Sequence, residues 1–101
     1  MDAIEVMPVT QLIRSVDLSS ALYVVATPIG NLRDITLRAL DTLTAVDVIY
    51  AEDTRQTRRL LDAYGIKTTL RTYHDHNGAQ MRPVIIEALE KGERLALVSD
   101  A

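Results

Sequence analysis

Leu22-Tyr-Val-Val-Ala-Thr-Pro-Ile-Gly-Asn-Leu-Arg-Asp-Ile-Thr36 reads as a strand, a shaped loop and the start of a helix. The apolar run over residues 22–26 is too short for an ordinary helix and has the length of a buried strand. Pro28 ends the pairing and holds Thr27 extended. Gly30-Asn31 then permits a turn with positive φ. Asp34 or Thr36 can cap a helix whose apolar residues follow at Leu37, Leu40 and Leu43. In open α/β sheets, ligands gather at the carboxyl ends of strands, where this loop falls.

Outward from that stretch the same rhythm repeats. A strand over 22–26 leads to a helix over 35–44, and a strand over 46–51 follows, with Val48-Ile49-Tyr50 suited to burial on both faces. Thr54 opens a second helix that carries Leu60, Leu61 and Tyr64 on one side and stops at Gly65. A third strand over 68–73 is β-branched but polar, as befits a sheet edge. Met81, Val84, Ile85, Ala88 and Leu89 give the third helix the strongest period in the chain. Asn77 with Gln80 resembles a capping box. Pro83 conflicts with a helix that starts at Ala79, so that helix either begins near Arg82 or is kinked. A fourth strand covers 94–98. Four strands alternating with three helices predict an α/β fold, a three-layer parallel sheet built from right-handed βαβ units.

Residues 1–21 hold no regular period and are expected to be a disordered leader. Residues 22–101 then form one N-terminal α/β domain, expected to be truncated after its fourth strand, because a central strand rarely ends such a sheet. The chain has 101 residues, 48% hydrophobic and 25% charged, a soluble globular profile with room for one domain. No run is long enough to span a bilayer, and the first residues lack the basic and apolar regions of a signal peptide. A cytoplasmic location without membrane partners is the expectation. With no cysteine there is no disulfide or thiolate metal site. A net charge of −3 argues against a general nucleic-acid coat. A local basic patch remains open, since every basic residue but Arg14 lies beyond residue 30.

The strand ends hold the candidate chemistry. The first loop has a single glycine, so it is not a G-x-G-x-x-G turn, and no Walker-type lysine motif occurs. Ala51-Glu-Asp-Thr-Arg55 sets two carboxylates beside a threonine and an arginine. These can orient a hydroxyl, pair with a cation, or simply cap the second helix through Asp53 or Thr54. Arg33, Arg38, Arg55, Arg58 and Arg59 form a basic group that reads either as a solvated face or as phosphate contacts. His74 and His76 point to opposite sides of an extended segment and no third histidine exists, so no metal site is assigned. Asp100 follows the fourth strand, where it can accept hydrogen bonds from a ribose.

Together the first stretch, Ala51-Glu-Asp-Thr-Arg55, His74-Asp-His-Asn77 and Leu97-Val-Ser-Asp-Ala101 resemble, in order and spacing, the start of the bacterial small-subunit rRNA (cytidine-2′-O)-methyltransferases. Those enzymes belong to the tetrapyrrole-methylase-like superfamily, which uses S-adenosyl-L-methionine (SAM). The resemblance runs from about Leu22 to Ala101. It implies transfer of a methyl group from SAM to a ribose hydroxyl of a cytidine in small-subunit rRNA. The partner is the rRNA or the small ribosomal subunit, and the enzyme a homodimer. By the same resemblance Pro28, Gly30, Asn31, Asp100 and Ala101 contact SAM, Asp53 orients or deprotonates the attacking hydroxyl, and Arg33, Arg55, His74 and Asn77 contact the substrate. The 101-residue chain alone is expected to be inactive. The alternatives are a methylase of a tetrapyrrole precursor, against which the glycine-poor first loop argues, and a non-catalytic RNA- or nucleotide-binding module.

Overall fold

The computed structural model describes residues 9–28, 30–73 and 78–100. Strand β1 (Leu22–Thr27) leads through a short 3-10 turn (Leu32–Asp34) to helix α1 (Leu37–Ala45). Strand β2 (Val48–Ala51), helix α2 (Thr54–Ala63), strand β3 (Thr69–Thr72), helix α3 (Gly78–Glu90) and strand β4 (Leu95–Asp100) follow. The strands form one sheet in the order β1-β4-β2-β3, with every pairing parallel. This is the expected α/β architecture, with most element boundaries within two residues of the expected ones.

Strand order explains which face each helix covers. The connections β1 to β2 and β2 to β3 both run the same way across the sheet, whereas β3 to β4 runs back. Right-handed crossovers must then place α1 and α2 on one face and α3 on the other. The packing agrees. Ala39, Leu40 and Leu43 of α1 and Leu60 and Leu61 of α2 share one core with Val25, Ile49 and Ala96. Ile85 and Ala88 of α3 share the other with Tyr50 and Leu95. Successive strand residues point to opposite faces, so Ile49 enters the first core and Tyr50 the second.

Two local features depart from the sequence expectation, and two decide between caps it left open. β1 is an edge strand buried on one face only. Val25 is buried, while Val24 beside it is 68% exposed. An unbroken apolar run looked fully buried, yet α3 covers β2 and β4 rather than the outer side of β1. Helix α2 is capped by Asp53, with Thr54 its first helical residue. Helix α1 takes Thr36 as cap, its Oγ1 accepting from the Ala39 amide at 3.0 Å, while Asp34 belongs to the preceding 3-10 turn. Helix α3 already starts at Gly78, so Pro83 lies inside it. Pro83 denies the Ala79 carbonyl an amide partner, but both residues are exposed and water can solvate that oxygen. Asn77 of the expected capping box lies outside the described residues.

Residues 9–21 run against the body of the domain. Val9–Leu12 forms a 3-10 turn, and Ile13 and Leu18 pack on the core beneath α1 and α2. The Arg14 amide donates to Asp41 Oδ1 at 2.7 Å, and Ser20 Oγ donates to the Glu93 carbonyl at 2.8 Å. No helix among the described residues is long and apolar enough to cross a membrane.

Candidate functional site

Parallel strands bring all their carboxyl ends to one rim, and the register decides which loops meet there. Thr27 pairs with Asp100, and Ala51 with Val98. The first loop therefore leaves the sheet directly beside the end of β4, joining two segments 73 positions apart in the chain. β4 inserts between β1 and β2 after the chain has reversed direction across the sheet, the kind of position at which such folds bind ligands.

The first loop is held by three local devices. Gly30 adopts φ +87°, a conformation that disfavours any side chain, and the position of its missing Cβ faces open space. Asn31 Oδ1 accepts from the Arg33 amide at 3.0 Å and caps the 3-10 turn. Tyr64, at the end of α2, donates its hydroxyl proton to the Leu32 carbonyl at 2.8 Å and so ties the loop to that helix.

Between this loop and α2 lies a cleft of about 70 Å³, lined by Thr27, Pro28, Gly30, Leu32, Gln56, Thr57, Arg59 and Leu60. Its walls alternate apolar surface with two hydroxyls, an amide and a guanidinium. Thr27 and Thr57 are buried. Such a lining suits a polar or anionic group on a partly apolar ligand.

Pro28 and Gly30, expected to contact the cofactor, line the cleft, whereas Asn31 acts as a cap and Arg33 lies exposed beyond it. Asp53 stands at the head of α2. Its Oδ1 accepts from the Arg55 amide at 3.0 Å and lies 3.6 Å from Arg55 Nε. The hydrogen bond from the Arg55 backbone holds the Asp53 carboxyl below its ordinary value, outweighing its desolvation. Arg55 projects away from the cleft into a separate open groove of about 520 Å³ between α2 and β3, shared with Thr54, Arg58, Leu70 and Thr72. His74, Asn77 and Ala101 lie outside the described residues, and Asp100 is placed by its backbone pairing alone.

Sequence reasoning missed Thr27, Gln56 and Thr57. Their signal is positional: the first turns of α2 start at the carboxyl rim, so the helix face at Gln56, Arg59 and Leu60 (spaced i, i+3, i+4) looks towards the loop after β1.

The description of the tetrapyrrole (corrin/porphyrin) methylases matches residues 21–100, which take in every element from β1 to β4. The chain belongs to this family. Among its relatives is a protein of Mesorhizobium japonicum named ribosomal RNA small subunit methyltransferase I, 57% identical over 84 residues, which are 83% of this chain and 29% of that protein. Proteins of the same name from Haemophilus influenzae and Bacillus subtilis are 53% identical over 85 residues and 58% identical over 80. Those matches take in 84% and 79% of this chain but 30% and 27% of the relatives. The chain thus spans less than a third of the length of the curated relatives it matches. Within this tetrapyrrole methylase chain, the aligned part includes the first loop, the cleft and all of α2.

Proposed function

We propose that this chain carries part of the active site of a SAM-dependent methyltransferase whose acceptor is the ribose 2′-hydroxyl of a cytidine in small-subunit rRNA. The observation that carries the reading is the identity above 50% with relatives named as rRNA methyltransferases, over aligned lengths that take in the loop and helix forming the cleft. The substrate then is the rRNA, alone or within the small ribosomal subunit. On this reading the enzyme works in the cytoplasm as a homodimer.

The described residues fit one wall of a SAM site. Gly30 leaves open space beside the loop, and Thr27 and Thr57 offer hydroxyl oxygens between apolar neighbours. Bound SAM supplies an electrophilic methyl group on a sulfonium sulfur. Pro28, Gly30 and Asn31 would hold it from the first loop, and Asp100 and Ala101 from the end of β4. In-line attack by a ribose hydroxyl demands alignment, so positioning should supply most of the acceleration. A carboxyl held below its ordinary value is a weak base but a constant acceptor. Asp53 would orient the attacking hydroxyl or accept its proton as the methyl passes from sulfur to oxygen. Arg33 and Arg55 would contact RNA phosphates, while His74 and Asn77 would approach the target nucleotide.

The test is transfer of labelled methyl from SAM to undermethylated small ribosomal subunits, using a protein of the relatives' full length that contains this sequence. Label on cytidine ribose is the expected result. The 101-residue chain alone is expected to transfer none. No label from the longer protein, folded and binding SAM, would discard the rRNA substrate and favour a tetrapyrrole precursor. Sedimentation of the longer protein as a monomer would remove the homodimer.

A further inference from the structure

Helix α2 carries three arginines against one aspartate, in a chain whose net charge is −3. Its core-facing residues, Thr57, Leu60 and Leu61, already secure it to the sheet, so the fold makes no demand on the arginines. Their placement even opposes local electrostatics. Arg55 stands in the first turn, where the positive end of the helix dipole disfavours a cation, and no acidic residue occupies that turn. The Asp53 carboxylate at the N-cap offsets part of that cost, and a bound anion would offset more.

The arginines divide between the two flanks of the helix. Arg59 reaches the cleft beside Pro28 and Gly30, whereas Arg55 and Arg58 line the open groove against edge strand β3. Their acidic neighbours hold them loosely. Arg55 is 90% exposed in its 3.6 Å pair with Asp53, and Arg58 meets Asp62 only at 3.9 Å. Arg59 has no ion pair among the described residues. Exposed pairs of this kind are weak in water, and a phosphate offers a guanidinium two parallel hydrogen bonds instead.

We propose that α2 is a ridge crossed by the backbone of single-stranded RNA, with phosphates held by Arg59 on the cleft flank and by Arg55 and Arg58 on the β3 flank. This rests on the rRNA substrate proposed above and deepens it: the strand that delivers the target ribose to the cleft continues over α2 into the groove. A ridge with cations on both sides fits a narrow flexible polyanion. Duplex RNA would have to be read by its shape across a broad face.

The experiment is a fluorescence-anisotropy titration of a labelled single-stranded oligoribonucleotide with a protein of the relatives' full length that contains this sequence, repeated over a series of salt concentrations. Arg58→Gln and Arg59→Gln each remove one exposed cation from one flank, and Lys91→Gln removes one from the end of α3. Circular dichroism of each variant checks that the fold is retained. Each α2 variant is expected to reduce the slope of log affinity against log salt by about 0.7, the value for one lost phosphate contact on a single strand. Lys91→Gln should leave the slope unchanged. Equal slopes for all four chains overturn the ridge, and a change on one flank only overturns the crossing. A chain that binds no RNA even at the lowest salt overturns this surface as well. The rRNA substrate itself stands or falls separately, on methyl transfer by the longer protein.

Discussion

Asp47 and Arg94 meet where β2 and β4 begin. The Asp47 amide donates to the Arg94 carbonyl and the Arg94 amide to Asp47 Oδ2, both at 2.8 Å. A guanidinium nitrogen of Arg94 lies 3.3 Å from Asp47 Oδ1. The backbone hydrogen bond from Arg94, helped by its side chain, holds the Asp47 carboxyl below its ordinary value. A carboxyl lowered in the folded state stabilises the fold above its unfolded pKa, about 3.9, and loses that contribution as pH falls through the folded value. Urea midpoints of the parent and of Asp47→Asn are therefore expected to differ at pH 7 and to converge in the acid range below the ordinary carboxylate pKa. A constant gap down to pH 2 would show that Asp47 acts by something other than its charge. Tyr64 offers a second test at this scale. Tyr64→Phe keeps the ring and removes only the bond to the Leu32 carbonyl, at an expected cost of about 0.5–1.5 kcal/mol. Amide exchange in the first loop should accelerate in that variant.

Elements behave according to their partners more than their composition. β1 and β2 are both short apolar runs, yet Ile49 is fully buried and Val24 is not. Ile49→Ala is expected to cost about 2–5 kcal/mol, since it opens a cavity between sheet and helices. Val24→Ala should change stability by no more than about 0.5 kcal/mol. Chemical denaturation of the two variants would measure the contrast, and similar losses would mean that the outer face of β1 is covered. The helices carry their own signals. Thr36→Ala should cost about 1 kcal/mol through the lost cap of α1. Pro83→Ala restores an amide donor in α3, and a gain of up to about 3 kcal/mol is expected from the same measurement. The apolar period of α3 was legible in the sequence. Its start at Gly78 was not, because tertiary packing carries a helix through a proline whose orphaned carbonyl faces water.

At the scale of the molecule, α3 leaves part of its face of the sheet open. A hollow of about 280 Å³, lined chiefly by Leu22, Tyr50, Ile85, Ile86, Leu89 and Leu97, runs between α3 and β1. Ile86 at its rim is 55% exposed. Such a surface should bind the dye ANS in the native state, without the loss of tertiary structure that usually accompanies dye binding. Ile86→Lys is expected to lower that fluorescence while leaving the unfolding midpoint nearly unchanged. Undiminished dye binding would place the apolar surface elsewhere.

The alternation of strands and helices, the parallel sheet and the shaped first loop follow from the sequence alone, because apolar period, turn residues and caps act over a few neighbouring positions. Pro28 and Gly30 announced themselves in the same way, through backbone conformation. The order β1-β4-β2-β3 was set by tertiary structure, since pairing between strands some seventy residues apart leaves no local trace. That order set Thr27 beside Asp100, turned Gln56, Thr57 and Arg59 towards the first loop, and sent Arg55 and Arg58 to the opposite flank of the same helix. Helical spacing names the neighbours along a face, but only the packed sheet decides what each face looks upon.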